Sequence, residues 1–215
     1  MAVRRTLAIA LVLALAVAGA ALAGRGDPQK RITRADQARA KAMVLRKADF
    51  GSGFTTAPSP SGQGDVYCKA LDESDLTITG EAQSPSFVGG VAATSSLSRI
   101  YESVADSNAS WRRGTSKAGE RCLRVVFSKT AAAQGGRLTS LERLRFPKVA
   151  QRTSAYRLVI EAQGLRGFLD VVALKQSRAQ VGLLFVSALN PLPRGEEVRL
   201  ARIVARRMKT AMRGA

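Results

Sequence analysis

The sequence predicts an α+β domain, an α/β/α sandwich whose mostly antiparallel sheet is flanked by N- and C-terminal helices. Three observations lead there. Four strand candidates follow one another in the second half, "RLTSLERLRF", "SAYRLVIEAQG", "RGFLDVVALKQ" and "AQVGLLFVSAL". Short links join the last three, and short links between neighbours mean hairpins and antiparallel pairing. "QVGLLFVSAL" is apolar almost throughout, so it should be a central strand covered on both faces, with helical patterns at both ends of the chain to cover it.

The chain opens with "MAVRRTLAIALVLALAVAGAALAG". Arg4 and Arg5 form a basic start, an apolar run follows from Leu7, and "ALAG" supplies small residues for a signal peptidase. Residues 1–23 are therefore expected to be a signal peptide cut after Ala23, the alternative being an uncleaved membrane anchor. Residues 24–32 read as a polar, flexible segment, and 33–215 as one globular domain. Export to an oxidising compartment makes two cysteines more often paired than free. Cys68 and Cys122 are thus expected to form a structural disulfide. They lack the C-x-x-C spacing of a redox pair.

"ITRADQARAKAMVLRKADF" reads as the first helix, with Thr33 as its cap and Asp36 three residues on. Ala35, Ala38, Ala42 and Leu45 share one face by helical spacing, and "GSGF" ends the helix. "TTAPSPSGQG" is a loop by composition. "SDLTITGEAQ" alternates as a half-buried strand, with Leu76 and Ile78 on one side and Thr77 and Thr79 on the other. "SPSFVGGVAATSSLSRIYES" reads as one longer strand, and Gly89–Gly90 inside it indicates a bulge or a close approach by another group. "SVADSNASWRRG" reads as a short helix capped by Ser103, with Val104, Asn108 and Trp111 on one face. "AGERCLRVVFSKTAAAQGG" fits a helix ended by Gly135–Gly136 or a strand around "CLRVVF", and helix is the preferred reading.

The last helix is expected from about Gly195 to Arg213. Leu200, Ile203, Val204, Met208 and Ala211 form its apolar face. Arg199, Arg202, Arg206, Lys209 and Arg213 form a basic stripe opposite. That stripe is either a solvated face or a rail for an anionic polymer or a membrane surface. The chain carries a net charge of +18. Such a charge favours anionic partners, and export argues against nucleic acid among them. Composition alone can also produce it where the genome favours arginine and alanine codons.

Enzymatic chemistry has little support. The chain has no histidine, which excludes Ser-His-Asp and Cys-His arrangements, and it offers no set of four zinc ligands. No metal or cofactor is expected. Among the carboxylates Asp170 stands out, because alternation along "FLDVVAL" puts it with Phe168, Val172 and Leu174. Buried there it would need a partner such as Arg157; the alternative is an exposed aspartate near a turn.

The helix ending in "ADFGSGF", then Cys68, strands, Trp111, Cys122-Leu123, a meander and a terminal helix together resemble a group of exported actinobacterial domains. The resemblance is to the extracellular sensor domain of the PknH kinase kind, and more loosely to the LpqN lipoproteins with their PsbP-like sandwich. This chain departs from that pattern in having one possible disulfide, no kinase and no lipid-anchor cysteine. The resemblance implies a non-enzymatic envelope module that binds a lipid, a glycan or another small amphiphile in a cleft. Gly89, Gly90, Trp111, Arg112 and Arg113 are the expected lining. The alternative is an interaction protein that docks on anionic envelope polymers or membrane through its basic C-terminal helix.

Overall fold

The computed structural model describes residues 26–59 and 67–214. The expected signal peptide lies outside the described residues, as does the latter part of the "TTAPSPSGQG" loop. Among the described residues no helix is long and apolar enough to cross a membrane.

Among the described residues nine strands form one sheet: β1 (Gln29–Lys30), β2 (Thr55–Ala57), β3 (Thr77–Gln83), β4 (Ser86–Gly89), β5 (Ala92–Tyr101), β6 (Gly136–Arg143), β7 (Arg152–Ala162), β8 (Leu165–Gln176) and β9 (Ala179–Ala188). Their main order is β1-β3-β5-β9-β8-β7-β6, with β4 pairing β5 and β2 at the side. All pairs are antiparallel except β1 with β3. Four α-helices flank the sheet: α1 (Arg34–Met43), α2 (Val104–Thr115), α3 (Lys117–Ala133) and α4 (Arg194–Ala211). The expected α+β class holds, and the apolar strand β9 is the fourth of the seven in the main order.

Strand alternation divides the core in two. On one face α1 and α4 cover Val181, Leu183, Phe185, Val172 and Leu174, and add Ala40, Met43, Leu200, Val204 and Met208. On the other face α3 brings Phe127 and Ala131 onto Leu158, Leu169 and Val186. α2 joins that second face where the Tyr101 hydroxyl meets Ser110 Oγ at 2.7 Å and Gln180 Nε2 donates to the Ser107 carbonyl at 2.7 Å. The expected caps are present: Thr33 accepts from the Asp36 amide and Ser103 from the Asp106 amide.

Several expectations change. The "SPSFVGGVAATSSLSRIYES" segment is two strands, not one. β4 and β5 form a hairpin whose turn begins at Gly90, φ +59°, a backbone that favours glycine. Gly89 does meet a close approach: a Cβ there would lie 2.9 Å from the Phe54 ring. Within the segment expected to be loose, Gln29 and Lys30 pair with Thr77 and Ile78. β3 is buried on both sides at Thr77, Ile78, Thr79 and Gly80 rather than half-buried. α1 crosses it so closely that a Cβ on Gly80 would lie 2.4 Å from the Asp36 carbonyl oxygen. α1 itself ends at Met43 and buries Asp36, Ala40 and Met43, while Ala35 and Ala38 face solvent. A buried aspartate held by arginine outweighs the alanine pattern. In α2, Val104 is exposed and Ser107, Ser110 and Trp111 are buried, because the serines have partners on the sheet.

The disulfide is formed between Cys68 and Cys122, with Cα atoms 5.9 Å apart and a sequence separation of 54. It ties α3 to the 3₁₀ turn Lys69–Leu71. Closing a loop of this length removes chain entropy worth about 4 kcal/mol. A Cys68→Ser/Cys122→Ser double variant should therefore unfold at lower denaturant than the parent by about that free energy; an unchanged midpoint would contradict a stapling role.

Candidate functional site

The two sides of the central strand β9 differ. Val181, Leu183 and Phe185, towards α1 and α4, are fully covered. Gly182 and Leu184, on the other side, are only half-buried. So are their register neighbours: Leu97 and Ser95 on β5, Ala173 and Val171 on β8. α2 reaches this face one row further on, at Gln180, and α3 covers the opposite row of Val186, Leu169 and Leu158. Between them lie two rows of small and aliphatic side chains that the helices leave partly open. Gly182 sits in the middle, and a Cβ built on it would meet no atom within 4 Å. This partly open apolar strip, the trough, crosses β5, β9 and β8, two strand spacings or about 10 Å from first strand to last.

β7 closes one end of the trough. Ser154 lies opposite Ala173 and Tyr156 opposite Val171. Both side chains are buried, and neither hydroxyl has a hydrogen-bond partner among the described residues.

Five charged side chains are buried among the described residues: Asp36, Asp49, Asp170, Lys175 and Glu197. Arginine holds every acid. Arg178 bridges Asp36 at 3.1 and 3.2 Å, and Arg207 grips Asp49 at 2.6 and 2.7 Å. Arg157 clamps Asp170 across the β7–β8 pair at 2.7 and 2.5 Å, and Arg194 reaches Glu197 at 2.5 Å. Burial alone would raise the Asp36 pKa, but bonds from Arg178, Thr79 and Arg39 outweigh it and bring it to about 2. Glu197 behaves oppositely. Burial first, then the neighbouring Asp170, pushes its pKa up to about 8. Its Oε1 has no hydrogen-bond partner among the described residues, which a neutral, protonated carboxyl tolerates better than a carboxylate. The expected partner of Asp170 is thus present, and the exposed-aspartate alternative is wrong.

The expected lining residues do not form one site. Gly89 and Gly90 sit at the β4–β5 turn, and Gly89 lies under Phe54 on the α1/α4 side. Trp111 is buried in α2 beyond the far end of β5, a strand roughly 30 Å long at 3.3 Å per residue. Arg112 is exposed. Arg113 turns to Asp75, at 2.6 and 2.7 Å, and to the Asp72 carbonyl. Leu97, Val171, Ala173 and Leu184 were not anticipated. Gly182 was the available signal, since a glycine inside an apolar strand marks a place where something else comes close.

The basic stripe is where it was expected. Arg199, Arg202, Arg206, Lys209 and Arg213 are all exposed, opposite buried Leu200, Val204 and Met208. Arg199 is tied to Glu196 at 2.6 Å and to the Asp49 carbonyl. The other four have no ion-pair partner among the described residues. The same holds for exposed Arg34, Lys41, Arg46 and Lys47 on and after the adjacent α1.

A scan against protein-family models finds no match, and a search of curated proteins finds none at the significance applied. Among solved structures, an uncharacterized protein from Mycobacterium smegmatis is similar at 15% identity and TM-score 0.43, covering 80% of this chain and 98% of its own.

The raised Glu197 pKa gives a pH prediction. Its folded value, about 8, exceeds the ordinary 4.5, so its stabilisation is complete below about pH 4.5 and is lost as pH rises towards 8. With no histidine in the chain, few other groups titrate in that window. Chemical denaturation from pH 5 to 9 should show falling stability in the parent and a flatter profile in Glu197→Gln. Parallel profiles would show that Glu197 is ionised throughout.

Proposed function

We propose that the protein is an exported, non-enzymatic binding module of the bacterial cell envelope that takes a small amphiphile in the trough across β5, β9 and β8. The observation that carries this reading is the empty apolar space over Gly182 in the middle of the sheet. Central strands of a sandwich are ordinarily covered on both faces, and sites for small ligands are concave, apolar and already formed. The disulfide accords with an oxidising compartment. The aliphatic floor favours an acyl chain over a glycan, which needs many hydrogen-bond partners. The resemblance to envelope sensor domains points the same way.

Gly182→Leu tests the reading. Its side chain has room, so folding should be kept, while the trough is filled. Native mass spectrometry of protein recovered from its own host's envelope should show a lipid-sized adduct on the parent that survives high salt. The adduct should be absent from Gly182→Leu. Equal adducts on both proteins would place the ligand elsewhere, and a bare parent would count against the trough as a binding site.

A second reading rests on the eight exposed cations of α1, α4 and the turn after α1 that have no ion-pair partner among the described residues, a charge pattern suited to an anionic surface. Each cation near such a surface contributes about 1 kcal/mol. Sedimentation with anionic vesicles should be strong at low salt and lost with Arg202→Glu/Arg206→Glu. Binding insensitive to both salt and substitution would exclude this electrostatic docking.

A further inference from the structure

Resting on the trough reading, we infer that the β7 end of the trough is a subsite for the anionic head group of the bound amphiphile, with Ser154 and Tyr156 as its hydrogen-bond donors. Two adjacent buried hydroxyls without partners are unusual, because a buried polar group left unpaired is destabilising. Both belong to the same strand, two residues apart and therefore on the same face. That face is the trough's: each stands directly opposite a floor residue, Ala173 or Val171. Opposite side chains of this kind have Cβ atoms about 5 Å apart, so a group lying at the end of the floor comes within reach of both.

The charged side chains at the register positions beside the two hydroxyls on this face have one sign. Arg143 is directly opposite Tyr156 on β6, and Arg152 precedes Ser154 by two residues on the same face. Both are exposed, and no carboxylate pairs with either among the described residues. Lys175 lies opposite Arg152. Among the described residues it is the buried charge without a counter-ion: its ammonium donates to the Ser177 carbonyl at 2.7 Å and to no acid there. The four buried acids all meet arginine on the α1/α4 side. The buried cation and the two unpartnered hydroxyls are on the trough side. Hydroxyl donors backed by arginine and lysine, beside an apolar floor, fit a carboxylate or phosphate joined to an acyl chain.

Binding of hexadecanoate, hexadecyl phosphate, hexadecanol, acetate and inorganic phosphate is to be compared by calorimetry below micellar concentrations. The parent should bind one or both charged amphiphiles at least about tenfold more tightly than hexadecanol, as hydrogen bonds to a charged group permit. Which of the two binds more tightly identifies the head group. Tyr156→Phe and, separately, Ser154→Ala should erase much of that preference. In the absence of ligand both should melt at the parent's temperature or a few degrees above it, roughly 2–4 °C, because each removes a buried group that has no partner. Equal binding of hexadecanol and the charged amphiphiles would overturn the subsite and leave the trough reading intact. Failure of every long-chain probe would remove both. Acetate or phosphate binding as tightly as the amphiphiles would mark a site for a free anion and overturn the inference.

Discussion

A carboxylate cannot stay charged in a protein interior without a counter-charge, and this constraint organises the α1/α4 side of the fold. Asp36, Asp49 and Asp170 each accept two bonds from one arginine, and Glu197 accepts one. Two of these pairs join parts distant in sequence. Arg178 in the β8–β9 turn holds α1, and Arg207 in α4 holds the 3₁₀ turn Lys47–Asp49. Removing one partner of such a pair typically costs 3–5 kcal/mol, so the two helices are set on the sheet by charge geometry as well as by apolar packing. Four arginines are thereby structural, and Arg202, Arg206, Lys209 and Arg213 of the stripe stand apart because no acid pairs with them among the described residues.

The opposite side is built differently. α2 and α3 meet the sheet through a few hydroxyl and amide contacts and the Phe127–Ala131 cluster, and the disulfide ties α3 to the 3₁₀ turn Lys69–Leu71. None of these fills the space above Gly182. The open trough thus follows from two helices anchored at separate rows of one sheet face, with a glycine in the strand between them. The rigid α1/α4 side supports that floor from below, because Leu183 and Val181, fully buried there, alternate with Gly182 and Leu184 in the trough.

What could be read from the sequence follows from the range of each interaction. Hairpins β7–β8 and β8–β9, the caps at Thr33 and Ser103, the disulfide and the outer face of α4 rest on local spacing or on simple exclusion, and they were legible. The turn at Gly90 was misread because a glycine pair serves equally in a bulge and a hairpin. The face of α1 was misread because alanine patterns are weak, while the Asp36–Arg178 bond spans 142 residues. The same long range hid the trough. Its floor takes two residues from each of three strands, and only their register brings Leu97, Gly182 and Ala173 into a row. The expected lining, Gly89–Gly90 with Trp111, came from individually conspicuous residues, which the topology places at opposite ends of β5.

Methyl-resolved nuclear magnetic resonance of the isotopically labelled protein, titrated with a single-chain amphiphile below its micellar concentration, tests the central claim most directly. Leu97, Leu184 and Val171 should shift in a saturable manner, while Leu183, Val181 and Val172, one residue away on the α1/α4 side, stay fixed or move far less. Shifts confined to α4, or none at any of the trough methyls, would contradict the claim that this open row of the sheet is where the protein binds.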